Sequence, residues 1–170
     1  MSTHLMIQGT PGSGKTTLIE RIVEKYPDIF SGFFTKEVKE DKWRIGFDLV
    51  CINDNLKSPL ARIGNNQPKV GKYEVYVDKF EEFLLRCDLS TRYIIIDEIG
   101  KMECLSLRFK KLLNELFREK LVVATIPVYN LPIITLLREK YPTEVFQLNK
   151  LNRDDVLTNS VMWIESWFGY

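Results

Sequence analysis

Short apolar runs alternate along the chain with stretches whose apolar residues recur every three or four positions, a pattern that predicts strands and helices in turn. HLMIQ, residues 4–8, reads as a buried strand. GKTTLIERIVEKY follows as a helix with Leu18, Ile19, Ile22, Val23 and Tyr26 on one face, and Pro27 ends it. GFFTKEVK and WRIGFDLVCI flank the polar turn EDK, which predicts an antiparallel hairpin inserted after the first helix. Residues 53–72 are rich in turn-forming Asn, Gly, Pro and Ser and are expected to be loop. A strand at 73–77, a helix near 78–87 and the strand RYIIID come next. CLSLRFKKLLNELFRE is then a helix with Leu105, Phe109, Leu112, Leu113 and Leu116 turned inward. The strand KLVVATI, the helix LPIITLLREKY and the strand EVFQLN lead to a closing helix over 153–168, with Val156, Leu157, Ser160, Val161, Ile164 and Trp167 on one face. Such alternation implies parallel strands joined by right-handed crossovers, and hence a three-layer α/β fold with one β-hairpin insertion.

Composition narrows the class. A chain of 170 residues without a Pro/Gly/Ser-rich linker is expected to form one domain over 1–170. With 45% hydrophobic residues and a formal net charge of +1, nothing predicts a polyanion-binding surface. No apolar run approaches the ~20 residues that cross a bilayer and no leader is visible, so a cytoplasmic protein without a membrane partner is expected. The three cysteines, Cys51, Cys87 and Cys104, form no CxxC pair and read as reduced, packed thiols. His4 is the single histidine, which removes histidine triads and His-rich metal sites. The tryptophans Trp43, Trp163 and Trp167, with Phe168, are expected in the core.

The chemistry enters with GTPGSGKT, Gly9 to Thr16, which fits G-x-x-x-x-G-K-[ST] between a predicted strand and a predicted helix. Gly9, Gly12 and Gly14 let the backbone curl, so that N–H groups approach phosphate oxygens, and Pro11 stiffens the loop. The helix beginning near Lys15 aims its positive end at the same point. Lys15 is placed to reach β- and γ-phosphates, Thr16 to bind Mg²⁺ through its hydroxyl, and Thr17 to bond the α-phosphate. The spacing is not the G-x-G-x-x-G of a dinucleotide fold.

A bound triphosphate gives YIIIDEIGKME, Tyr93 to Glu103, a task. Asp97 stands where a Walker B aspartate holds Mg²⁺, and Glu98 can polarise a water for in-line attack on the γ-phosphate. Lys101 either offsets phosphoryl charge or pairs with Glu103 or sits in water. Glu103 is expected to be an acid at a helix N-terminus. Thr125, ending KLVVATI, is either an ordinary strand-end residue or, if its strand lies between the loop strand and the acid strand, a sensor of the γ-phosphate.

The segments GTPGSGKTTL, GFFTKEVK with WRIGFDLV, VGKYEVYVDKFE, IIIDEIGKMECLSLRF and LNR, in that order, make the chain resemble the bacterial and archaeal nucleoside-triphosphatase family, whose relatives include the cancer-related nucleoside-triphosphatase of animals. The resemblance implies a P-loop NTPase fold with a mainly parallel, RecA-like sheet in which the acid strand is not adjacent to the loop strand. It also implies slow, Mg²⁺-dependent hydrolysis of ATP, GTP, CTP and UTP with weak base preference. On this reading Lys15 and Glu98 are catalytic, while Thr16 and Asp97 hold the metal. The nucleotide is contacted by Gly9, Thr10, Pro11, Gly12, Ser13, Gly14, Lys15, Thr16 and Thr17, by Ile94, Ile95, Ile96, Asp97, Glu98, Ile99, Gly100 and Lys101, and by Arg153 of LNR at the base or ribose. The family tends to carry arginine where this chain has Lys39, and lysine lacks the planar fork of a clamp. Two other classes share the loop. A small-molecule or nucleotide kinase needs an acceptor pocket and an arginine-rich lid, whereas the arginines here are scattered from Arg21 to Arg153. A nucleotide-dependent switch needs a protein or nucleic-acid partner, which the sequence does not name.

Overall fold

The structure is a computed structural model and describes residues 3–168. The strands are β1 His4–Gln8, β2 Phe30–Glu40, β3 Trp43–Cys51, β4 Lys57–Ile63, β5 Lys69–Val70, β6 Tyr73–Val75, β7 Tyr93–Ile96, β8 Leu121–Ile126 and β9 Thr143–Gln147. The helices are α1 Lys15–Lys25, α2 Val77–Arg86, α3 Leu107–Glu119, α4 Pro132–Lys140 and α5 Arg153–Ser166. All nine strands form one sheet in the order β5-β6-β4-β3-β2-β7-β8-β1-β9. From β2 to β9 the pairing is parallel, and from β2 outward to β5 it is antiparallel. As the resemblance implied, β8 lies between the loop strand β1 and the acid strand β7.

Strands buried on both faces read as continuous apolar runs, because alternate residues enter two different cores. Leu5, Ile7, Ile95 and Val123 meet Leu18, Ile19 and Ile22 of α1 and Val156 and Ile164 of α5. Met6, Ile94, Ile96, Val122 and Ala124 face the other way, against α2, α3 and α4. Phe33 anchors that second core, making T-shaped contacts with Phe80, Phe83 and Phe109. His4 is structural: its Nε2 donates to the Phe117 carbonyl at 2.8 Å, while Nδ1 accepts the Val122 N–H at 3.1 Å. Burial lowers its pKa, so the ring stays neutral.

Several expectations need correction. Residues 53–72 are not a loop, for β4 occupies Lys57–Ile63 and pairs with β3. Pro59 concealed it, yet that residue stands opposite Asp48 beside a register shift, where a missing N–H is tolerated. The inserted hairpin is therefore the start of a longer antiparallel extension. The helix expected from Cys104 begins at Leu107, because the Ser106 side chain accepts the Phe109 N–H and caps it. Glu103–Leu105 form a separate 3-10 turn, and Leu105 is exposed, not inward. Trp43 at the hairpin tip is 77% exposed, whereas Trp163, Trp167 and Phe168 pack on the core as expected. Cys51 and Cys87, distant in sequence, are free thiols packed with their sulfurs 2.9 Å apart. Among the described residues no helix is long and apolar enough to cross a membrane.

The parallel core depends on a close approach at Gly32. This residue has φ +125°, and a Cβ there would overlap the Ile95 carbonyl oxygen across the β2–β7 pairing. Gly32→Ala is expected to destabilise the fold by about 3 kcal/mol or more, combining a disfavoured φ with a backbone clash. Denaturant unfolding of the two proteins measures it.

Candidate functional site

The loop between β1 and α1 is closed by the Ser13 N–H, which donates to the Thr10 carbonyl at 3.1 Å. Gly14 is the N-cap of α1 at φ +100°, a left-handed conformation that suits glycine, and no side chain caps the helix. The first-turn N–H groups and the positive end of the helix dipole are thus left for an anion. Lys15 Nζ donates to the Gly9 carbonyl at 2.5 Å and lies 3.0 Å from Glu98 Oε2. That oxygen is buried and has no hydrogen-bond partner among the described residues, so its contact with Lys15 is charge pairing without hydrogen-bond alignment.

Asp97 is the best-tethered group in the site. Its Oδ1 accepts the Thr125 hydroxyl at 2.6 Å, and its Oδ2 accepts the Thr16 hydroxyl at 2.7 Å and the Thr35 N–H at 3.4 Å. The carboxyl is only 2% exposed. Burial pushes its pKa up to about 6, with the Thr125 and Thr16 hydroxyls pulling down and the Glu98 charge pushing up. Thr16 and Asp97 together offer a hydroxyl and a carboxylate, hard oxygen donors that suit a Mg²⁺-like ion sharing its coordination with phosphates and water. Nearby Thr35 Oγ1 is buried with no partner among the described residues, a further oxygen free to serve such an ion. Among the described residues no group of three or more His, Cys, Asp or Glu side chains is placed to hold a metal ion.

These groups open into a cavity of about 630 Å³. Pro11, Gly12, Gly14, Lys15, Thr16 and Thr17 line one side, with Asp97 and Glu98 beside them. Gly9, Thr10 and Ser13 shape the loop without lining the cavity. Ile94, Ile95, Ile96 and Ile99 are fully buried core, and neither they nor Gly100 and Lys101 line it, so Asp97 and Glu98 are the residues of the second stretch that line the cavity. Lys101 instead sits 4.5 Å from the Tyr129 ring centroid, a cation–π contact, and not on Glu103. Glu103 is an acid at a helix N-terminus as expected, opening the 3-10 turn, but it is only 3% exposed beside Gly100, where burial and then the Glu98 charge hold its pKa well above the usual range. Thr125 is fully buried on Asp97 and holds that carboxylate; it does not line the cavity. Lys39 does not itself line the cavity but pairs at 3.7 Å with Glu37, which does.

Arg153 does line the cavity, but its Nε donates to the Ser13 carbonyl at 2.9 Å, so it braces the outside of the phosphate loop. Sequence reasoning missed Thr35, Arg44, Phe47, Pro127, Val128 and Tyr129 in the walls. The two β2–β3 strands carry the first three there, and the turn after β8 carries the others. No local motif marks any of them.

The sign of the Asp97 shift yields a test. A carboxyl whose folded pKa is raised adds stability below its unfolded value near 4, and that stability is lost as pH rises through about 6. Without nucleotide or divalent ion, Asp97→Asn is expected to raise folding stability by about 1–3 kcal/mol above pH 6. The gain should fade toward pH 4, and the variant should no longer be stabilised by Mg²⁺ with nucleotide. Thermal unfolding across pH, with and without these ligands, checks both.

With the geometry described, comparison places the chain among known proteins. The profile of the NTPase family matches residues 4–162. The nucleoside-triphosphatase THEP1 of Thermotoga sp. (strain RQ2) is 39% identical, with 90% of each chain covered. The cancer-related nucleoside-triphosphatase homolog of Mus musculus is 35% identical over 98% of each chain. The crystal structure of THEP1 from Aquifex aeolicus superposes with a TM-score of 0.81 at 33% identity, covering 94% of this chain and 98% of that one. By the match to its profile and to these relatives, the chain belongs to the NTPase family.

Proposed function

We propose that the chain, working as one nucleotide-binding domain, hydrolyses ATP, GTP, CTP and UTP to the diphosphate and phosphate, using Mg²⁺. The observation that carries this reading is the Lys15–Glu98 ion pair at 3.0 Å, directly beside Asp97 at the cavity wall. A phosphate entering the loop competes with Glu98 for Lys15, because both are anions and the loop N–H groups favour the phosphate. Glu98 is released as a carboxylate facing the γ-phosphate. It accepts a proton from water as the water oxygen bonds to the γ-phosphorus, and the bond to the β–γ bridging oxygen breaks with its electron pair leaving on the diphosphate. Thr16 and Asp97 would hold Mg²⁺, which supplies charge neutralisation at the β- and γ-oxygens. Thr125 keeps the Asp97 carboxylate oriented, and Arg153 keeps the loop curled while presenting its guanidinium at the base side. A guanidinium plane tolerates every base, which agrees with weak base preference. The free, packed Cys51 and Cys87 thiols agree with a reducing, cytoplasmic setting.

Phosphate release from each of the four nucleotides, with Mg²⁺ and without any added acceptor, is the expected outcome, and chelation should stop it. Glu98→Gln is expected to lower kcat by about 10²–10³-fold while nucleotide still binds. A variant that binds and turns over at the wild-type rate would remove Glu98 from the mechanism.

A further inference from the structure

Phosphoryl transfer spreads negative charge over the γ-phosphoryl oxygens, and the loop offers it one side-chain cation, Lys15. Four further basic residues line the same cavity: Arg21, Lys36, Arg44 and Arg153. Three of them have other engagements. Arg21 is 54% exposed and lies 4.0 Å from Asp154 of α5. Lys36 pairs with Glu20 of α1 at 3.3 Å. Arg153 is spent on the loop carbonyls of Ser13 and Gly12.

Arg44 differs in how it is held. Its Nε donates to the Tyr73 hydroxyl at 3.0 Å and its Nη1 to Glu37 Oε1 at 3.0 Å. The guanidinium carbon lies 5.1 Å from the Phe47 ring centroid and 5.9 Å from that of Tyr73. Two hydrogen bonds and two rings fix a long side chain that otherwise samples many rotamers. Nη2 has no hydrogen-bond partner among the described residues, and the side chain remains 37% exposed at the cavity. The position is also appropriate. Thr35, whose N–H reaches Asp97, is where β2 passes the acid strand, and Glu37 holds Arg44 two residues further along, or roughly 7 Å at 3.4 Å per residue. Thr35 and Arg44 line the same cavity as Lys15, Asp97 and Glu98.

We propose that Arg44 is the cation that stabilises the γ-phosphoryl group in the transition state, supplied by the chain itself from the β2–β3 hairpin, with Glu37, Tyr73 and Phe47 as its positioning residues. The inference rests on the hydrolysis reading above. It also gives the antiparallel extension a use, since β6 brings Tyr73 to the arginine that β3 carries. No external protein is then needed to complete the charge on the phosphoryl group.

The test compares wild type, Arg44→Ala, Arg44→Lys and Tyr73→Phe by steady-state kinetics with Mg²⁺ and ATP. It adds calorimetric affinity for Mg²⁺ and ADP, alone and with aluminium fluoride, a mimic of the planar phosphoryl group. Arg44→Ala is expected to lower kcat about 10³-fold and to lose the tight aluminium fluoride complex, while affinity for ADP alone changes by less than about threefold. Arg44→Lys should recover little, because an ammonium lacks the bidentate fork. Tyr73→Phe should lower kcat by a smaller factor and leave KM nearly unchanged. Should the alanine variant fail to fold, Arg44→Lys decides by the same readouts. An arginine variant that binds ADP and aluminium fluoride as tightly as wild type, or keeps kcat within threefold, overturns the inference. Wild-type protein that neither releases phosphate nor binds the aluminium fluoride complex sinks the hydrolysis reading instead.

Discussion

One buried carboxylate organises the working edge of this sheet. Asp97 is withdrawn from water, and such a group is costly unless its oxygens are bonded. The bonds come from Thr16 at the start of α1, Thr125 at the end of β8 and the Thr35 backbone in β2. Three elements that are remote in sequence are thereby held at fixed distances from one point. The phosphate loop and the rising half of β2 reach the cavity in register with each other, and β8 backs them, because all three share this acid.

The same arrangement explains why an ion belongs here. Threonine hydroxyls satisfy the carboxylate only as neutral donors, and burial still raises its pKa toward 6. A divalent cation relieves that cost, so the edge stores a preference for the ligand that the chemistry uses. Next to it, Lys15 and Glu98 neutralise each other, which keeps a partly buried carboxylate and a partly buried cation from standing unpaired. Glu103, buried beside Gly100, is pushed toward its neutral form by burial and then by the Glu98 charge.

The sheet has two halves with different duties. Its parallel core carries the loop and the acids on short strands clamped between helix layers, where Phe33 and Gly32 set the closeness of packing. β2 belongs to both halves: it pairs with β7 only through Phe30–Phe33 and with β3 from Phe33 to Glu40. The second half of β2 therefore extends past the core and makes the far wall of the cavity. Arg44, Phe47 and Glu37 are in that wall by construction, since strand pairing places them on one face.

What the sequence by itself determined is everything that depends on neighbouring residues. Gly9 to Thr16 declares a phosphate loop through spacing alone, the apolar runs declare buried parallel strands, and the carboxylates that end YIII declare a place where a strand meets chemistry. Within the antiparallel extension the β2–β3 hairpin and β6 were legible, but β4 was not, because it lacks alternation and contains Pro59, and only pairing with β3 makes it a strand. The burial of Glu103, the tethering of Thr125 to Asp97 and the bracing of the loop by Arg153 were hidden for the same reason. Each is a contact between residues separated by tens of positions or more, or a burial set by the layers above. Tertiary structure alone decided these, because burial and charge are properties of a three-dimensional neighbourhood, whereas turn geometry and periodicity are properties of the chain.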